Sequence, residues 1–219
     1  MKPKQTNQIT ECSRCGTCCL KGGPALHEAD RQIIDNGILP LTSLYTIRKG
    51  ELARDHINGG LVQLPAEILK IKSLKKSTTC MYFNEMDKQC SIYDHRPIEC
   101  RTLECWNTRA IESMYSRNRL TRKMLLKKVG WLIELVETHE SECGLDKIQH
   151  LVNDREAGDP GASIDLMQLI NYDLHFRNLV MEKGKIALEM LDFLFGRPLS
   201  VIISTQFGVK IDKKKPDSF

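Results

Sequence analysis

Two groups of cysteines carry most of the chemistry available to this 219-residue chain. The first is Cys12-Ser13-Arg14-Cys15-Gly16-Thr17-Cys18-Cys19, a C-x2-C-x2-C-C string; the second is Cys80-x9-Cys90-x9-Cys100-x4-Cys105. A two-residue gap lets two thiolates converge on one centre through a tight turn, and Gly16 relaxes the backbone limits at that turn. Thiolates packed this densely are ligands for zinc or for an iron–sulfur cluster, or they do redox chemistry. Three ligands in succession resemble the start of a ferredoxin loop, but Gly22-Gly23-Pro24 follows where that loop closes with Cys-Pro. Haem attachment through C-x2-C-H is excluded, because Gly16 and Cys19 stand after the two C-x2-C pairs. Neighbouring side chains of extended backbone point to opposite sides. Cys18 and Cys19 are therefore expected either to face different centres or to contribute only one ligand. Eight thiols match two four-cysteine sites, a binuclear site, or one four-cysteine iron–sulfur cluster with four thiols to spare. Cys143 stands apart and reads as a small buried hydrophobe.

The elements that must position these thiols fall into two compositional halves, and the expected fold class is α+β. Residues 10–106 are expected to form a cysteine-rich metal-binding domain of short strands and turns, and residues 107–212 a mainly helical extension. In the first half, His27 to Asn36 reads as a short helix stopped by Gly37, and Leu44–Lys49 and Leu61–Leu64 read as strands. Thr78–Phe83 and Cys90–Tyr93 flank the polar stretch Asn84–Gln89 as a β-hairpin, packed by Tyr82 and Tyr93. Pro97 suits the start of a helix that carries Cys100. If Cys105 shared that helix it would lie about 140° around from Cys100, so the helix ends between them or the two serve different centres. In the second half, Leu125, Val129, Leu132 and Val136 follow helical spacing behind a Thr121 cap, and Leu145, Ile148, Leu151 and Val152 repeat it. Asp159-Pro160-Gly161 then turns the chain into a helix over about 163–183. Another helix runs over 185–195, and Leu199–Ser204 with Phe207–Ile211 is expected to be a closing strand pair. Residues 1–10 and Lys213–Pro216 read as frayed.

Composition excludes several classes. Apolar residues make up 41% and charged residues 27%, as in an ordinary globular protein rather than a collagenous or disordered one. No apolar run approaches the ~18 residues of a membrane span. The polar opening Met1-Lys2-Pro3-Lys4 lacks the core of a secretory signal. The expected location is the cytoplasm, whose reducing conditions keep thiols free for metal. A net charge of +4 is mild and gives no ground for nucleic acid. The basic run Arg117, Arg119, Arg122, Lys123, Lys127 and Lys128 has no interleaved aromatics and reads as a solvated helix face. Paired catalytic carboxylates, a phosphate loop, a Gly-x-Ser-x-Gly elbow and a His-Glu-x-x-His helix are all missing from the sequence. Whether any reaction is catalysed stays open at this point.

The string Cys12-x2-Cys15-Gly16-x-Cys18-Cys19, followed by Cys90-Ser-Ile-Tyr-Asp-His-Arg-Pro-Ile-Glu-Cys100-Arg101, resembles the YkgJ-type cysteine-cluster family. That family is named for its CxxCxxCC string and is proposed to chelate zinc or iron. The resemblance covers roughly residues 10–106 and rests on two separated motifs that agree in order. It implies Cys12, Cys15, Cys18, Cys19, Cys80, Cys90 and Cys100 as ligands, and Cys105 extends that set. A four-thiolate zinc site carries two surplus negative charges, which favour nearby cations. Arg96 and Arg101 are the candidates to supply them, with Arg14 and Lys21 also close in sequence. His27 and His95 are alternative ligands. The function so implied is a module that holds zinc or an iron–sulfur cluster, such as [4Fe–4S], with a protein as the expected further partner. Two other readings are an iron–sulfur enzyme or electron carrier, since related clusters occur in flagellin lysine methylases, and a protein that passes its metal to a client.

Overall fold

A computed structural model describes residues 12–210. In chain order it contains α1 (Arg31–Asp35), β1 (Leu44–Ile47), β2 (Leu52–Arg54), β3 (Leu61–Gln63), β4 (Ile68–Ile71), β5 (Phe83–Asn84) and β6 (Gln89–Cys90). There follow α2 (Ile98–Thr102), α3 (Arg109–Met114), α4 (Arg122–Leu126), α5 (Gly130–Glu142), α6 (Leu145–Glu156), α7 (Pro160–Gly184), α8 (Leu191–Phe195) and α9 (Leu199–Gln206). The strands form two-stranded sheets, β1 with β4, β2 with β3 and β5 with β6. The class is α+β, with short strands early in the chain and helices later.

The chain folds as two units. One takes the described residues up to Ser43 together with Lys70–Leu120, and the other takes Leu44–Leu69 with the residues from Thr121 onward. The first unit has few regular elements, and its apolar interior is small: Ala25, Leu26, Leu39, Ile71, Phe83 and Leu120 are buried. Isolated bridges do much of the pairing, Ala25 with Lys70, His27 with Arg119 and Ser73 with Cys80. The expected hairpin is present but short, pairing Phe83 with Cys90 and Asn84 with Gln89. Helix α1 ends before Gly37, whose φ of 72° suits a stop without a side chain.

The second unit has the larger core. Cys143, Leu145, Ile148, Val152, Leu166, Leu169, Leu199, Ile202 and Ile203 form one buried cluster. The helical spacing read from Leu145, Ile148 and Val152 thus marks the buried face of α6. The Thr121 hydroxyl caps α4 by accepting from the Met124 amide at 3.3 Å. Asp159 caps α7 through Gly161 with Pro160 in the first turn. The apolar pattern from Leu125 to Val136 is divided between α4 and α5, with the break before Gly130.

Two expectations are corrected here. Leu199–Gln206 is helical, not a strand. The β-branched run Val201-Ile202-Ile203 suggested extension, but Leu199, Ile202 and Ile203 are buried at helical spacing, and the Leu199 amide donates to Asp173 Oδ2 at 2.9 Å. Phe207–Lys210 is not a strand either, while Ile211 and the Lys213–Pro216 tail lie outside the described residues, as do residues 1–10. The basic run is not wholly solvated: Arg122 is 4% exposed and bonds Glu67 and Glu140.

Candidate metal centre

The Cys12–Cys19 string opens the first unit as a loop followed by a 3-10 turn, Cys19–Lys21. The turn is tied by Leu20 N–H to the Gly16 carbonyl at 2.9 Å and by Lys21 N–H to the Cys18 carbonyl at 3.1 Å. Cys18 has helical backbone angles, φ −71° and ψ −38°. The alternation of extended chain therefore does not apply at Cys18-Cys19, and their sulfurs lie 3.9 Å apart. This corrects the expectation that the two face opposite ways.

The string is seated on the second block. The Cys80 amide donates to the Cys19 carbonyl at 2.8 Å, and Thr78 Oγ1 donates to the Leu20 carbonyl at 2.7 Å. Gly16 packs against the Phe83 ring, where an added Cβ would come within 2.4 Å of Cζ, and its φ is 80°. Strand pairing then sets Cys90 opposite Phe83. Cys100 sits in α2, whose start is fixed by Asp30 accepting from the Ile98 amide at 2.7 Å. Glu99 of the same helix accepts from the Ala25 amide at 2.7 Å and from His27 Nε2 at 3.2 Å.

The outcome is a thiol cluster drawn from both blocks. Cys18, Cys19, Cys80 and Cys100 lie within electrostatic reach of one another, Cys90 interacts with Cys80 and Cys100, and Cys15 with Cys18. Cys80 is buried, Cys19, Cys90 and Cys100 are half-buried, and Cys12, Cys15, Cys18 and Cys105 are exposed; all are free thiols. Helix α2 ends at Thr102, so Cys105 lies beyond it, next to the Glu104–Asn107 bridge. Among the described residues no three of these sulfurs lie within 4.8 Å of one another. The Cys18–Cys19 separation nonetheless equals the edge of a tetrahedral zinc–thiolate site, about 3.8 Å from Zn–S bonds of ~2.3 Å.

Proton affinities follow from this packing. The hydrogen bond between Cys18 and Cys19 lowers Cys18 to about 6, and the same bond together with burial raises Cys19. Burial pushes Cys80 and Cys100 up, whereas hydrogen bonds to Thr17 pull the exposed Cys15 down. Thiols held up by burial and by each other ionise once a cation joins them, which is the behaviour of a metal-ligand set. The donor set fits a thiophilic ion or an iron–sulfur cluster.

The cations expected behind the ligands are partly rearranged. The Arg96 charge bears on Cys18, but Arg101 acts on Asp30. Lys70, which sequence reasoning missed, lies near Cys80 and Glu99, and burial lowers its proton affinity. Only its place in space, some ten residues before Cys80, gives it that role. His27 is committed elsewhere, with Nδ1 2.7 Å from the Arg117 carbonyl and Nε2 on Glu99. Burial opposes its protonation, yet those two acceptors raise its proton affinity overall. His95 is exposed.

A second set of metal-capable groups lies in the helical unit. His139, Cys143 and Asp173 are buried, and their ligand atoms all fall within 4.8 Å. The Asp173 carboxylate is already saturated, accepting from His139 Nε2 at 2.7 Å, Arg177 Nε at 2.8 Å and the Leu199 amide at 2.9 Å. With Arg48 and Arg177 both bearing on His139, an added dication would meet buried like charge. This group is a polar hub of the fold.

Comparison with known proteins bears on the first cluster. Residues 11–119 match the CxxCxxCC family model, described as "Putative zinc- or iron-chelating domain". No curated protein and no solved structure matches the chain.

Proposed function

Since residues 11–119 belong to the CxxCxxCC family of zinc- or iron-chelating domains, we propose that this protein binds zinc or an iron–sulfur cluster through Cys12, Cys15, Cys18, Cys19, Cys80, Cys90, Cys100 and Cys105. The observation that carries the reading is the seating of the Cys12–Cys19 string on the second block, with Cys19 bonded to the Cys80 backbone and beside Cys100. Residues 61 to 93 positions apart in sequence would thereby act together as ligands. When bound, the ion supplies the charge that keeps these thiols ionised, and Arg96 offsets the surplus negative charge.

The role that follows is structural. The first unit has a small apolar interior and few regular elements, so the centre contributes to its folding; structural zinc supplies ~10 kcal/mol or more of apparent binding energy. The helical unit then offers surface to a protein partner. A protein of this kind belongs in the cytoplasm, where thiols stay reduced. No described helix is long and apolar enough to cross a membrane.

The exposed Cys12, Cys15, Cys18 and Cys105 beside the buried Cys80 support a second reading, in which the ion is passed to a client. Chelation separates the two: loss of fold in the first unit on metal removal supports the structural role, and rapid exchange with the fold intact supports transfer.

A further inference from the structure

Tyr93 lies in the turn that joins the Cys90 hairpin to the Cys100 helix, and its ring gathers two guanidinium groups. Arg96 places its Cζ 3.6 Å from the ring centroid and donates from Nε to the Tyr93 carbonyl at 2.8 Å. Arg14, from between Cys12 and Cys15, brings its Cζ to 4.3 Å from the same centroid. The Arg14 backbone is left-handed, with φ 55°, a conformation that a side chain with a Cβ adopts at a cost. In that conformation its side chain stacks on the Tyr93 ring.

Two like charges at one ring repel, and neither arginine pairs with a carboxylate among the described residues. Such an arrangement is stable where negative charge stands close by. The thiol cluster is such a source, since the Arg96 charge bears on Cys18. A four-thiolate centre carries surplus negative charge when it is loaded, so it would hold both cations in place.

We propose that Tyr93 clasps the two cysteine blocks together, stacking Arg14 from the string and Arg96 from the second block so that both cations face the thiolate-bound ion. Tyr93 is thus a positioning residue for ligands on either side of it, and Arg14 joins Arg96 as a compensating charge. The clasp rests on the metal-binding reading above and gives Tyr93 and Arg96 of the Cys90–Cys100 segment a shared task.

Cobalt(II) titration of the reduced full chain, read by thiolate-to-cobalt absorbance, tests it through four proteins: wild type, Tyr93→Leu, Arg14→Ala and the double variant. Tyr93→Leu and Arg14→Ala should each weaken cobalt binding by about two- to fivefold, the worth of an exposed cation–π contact. The double variant should bind no more weakly than Tyr93→Leu. Tyr93→Phe, which keeps the ring, should restore binding to near wild type. Arg14 is on an exposed loop, so Arg14→Ala reports even if Tyr93→Leu fails to fold. Wild-type affinity in Arg14→Ala, or a double variant as weak as the product of the singles, would overturn the clasp. Absence of thiolate-to-cobalt absorbance in the wild type would overturn the binding of a single zinc-like ion, and the clasp as stated with it.

Discussion

Cys18 and Cys19 are neighbours in sequence whose sulfurs stand on one side of the chain, 3.9 Å apart. The Cys19 carbonyl accepts from the Cys80 amide at 2.8 Å, and the Cys19 thiol also feels Cys100. Cys18 is the more exposed of the two, and its charge interacts with Cys15 and Arg96 as well as with Cys80 and Cys100. The pair therefore joins the exposed part of the string to the buried part of the cluster. Cys19→Ser should lose metal more completely than Cys18→Ser when both are dialysed against the same chelator and their metal content is measured. Equal loss would contradict the greater weight given to the seated, less exposed Cys19.

Gly16 sets how closely the string approaches the second block. Its φ of 80° and the 2.4 Å separation of an added Cβ from Phe83 Cζ leave no room for a side chain. Gly16→Ala should lift the string from Phe83 and weaken metal retention by about tenfold or more, a shift of ~1.4 kcal/mol. Chelator competition measures it, and retention equal to wild type would show that the string does not need this seat.

In the helical unit, burial is the main influence that keeps the His139 imidazole neutral. The unfolded chain takes up a proton at this residue near pH 6.5 while the folded one resists. Stability present above that pH is then lost as pH falls through it. Asp173, held low by His139 and Arg177 against its burial, extends the loss below about pH 4. Hydrogen exchange of α5 and α7 amides, corrected for intrinsic rates, should show less protection at pH 5 than at pH 7.5. Unchanged or greater protection at pH 5 would contradict this.

Asp173→Ala should cost ~3–5 kcal/mol in urea unfolding followed by far-ultraviolet circular dichroism, because it strands a buried arginine. Arg177 is 5% exposed and makes its carboxylate contact through Asp173. The same change removes the acceptor of the Leu199 amide at the start of α9. A cost under ~1 kcal/mol would mean that the hub is solvated in solution.

Much of the helical unit was legible because burial imposes a 3.6-residue period that survives in the chain: Leu132, Val136, Ile148 and Val152 are all buried. Helix α9 escaped because Val201-Ile202-Ile203 carries strand-like side chains, and a distant carboxylate on Asp173 decides the matter. The same holds for Arg122, whose charge reads as solvated until Glu67 and Glu140 meet it. In the cysteine cluster, residue type and spacing announce the chemistry. The direction of each sulfur does not appear there, since one helical pair of angles at Cys18 reverses the expected orientation. Arg14 on Tyr93 is similarly a product of chain reversal, 79 positions apart.

The most direct measurement is the zinc, iron and acid-labile sulfide content of the full chain purified without oxygen, together with alkylation of its cysteines before and after chelation. The expected result is about one or more bound ions per chain, with Cys19, Cys80 and Cys100 alkylating only once the metal is removed. Folded protein that holds neither zinc nor iron, and whose Cys19 alkylates at the same rate with and without chelator, would contradict the metal centre.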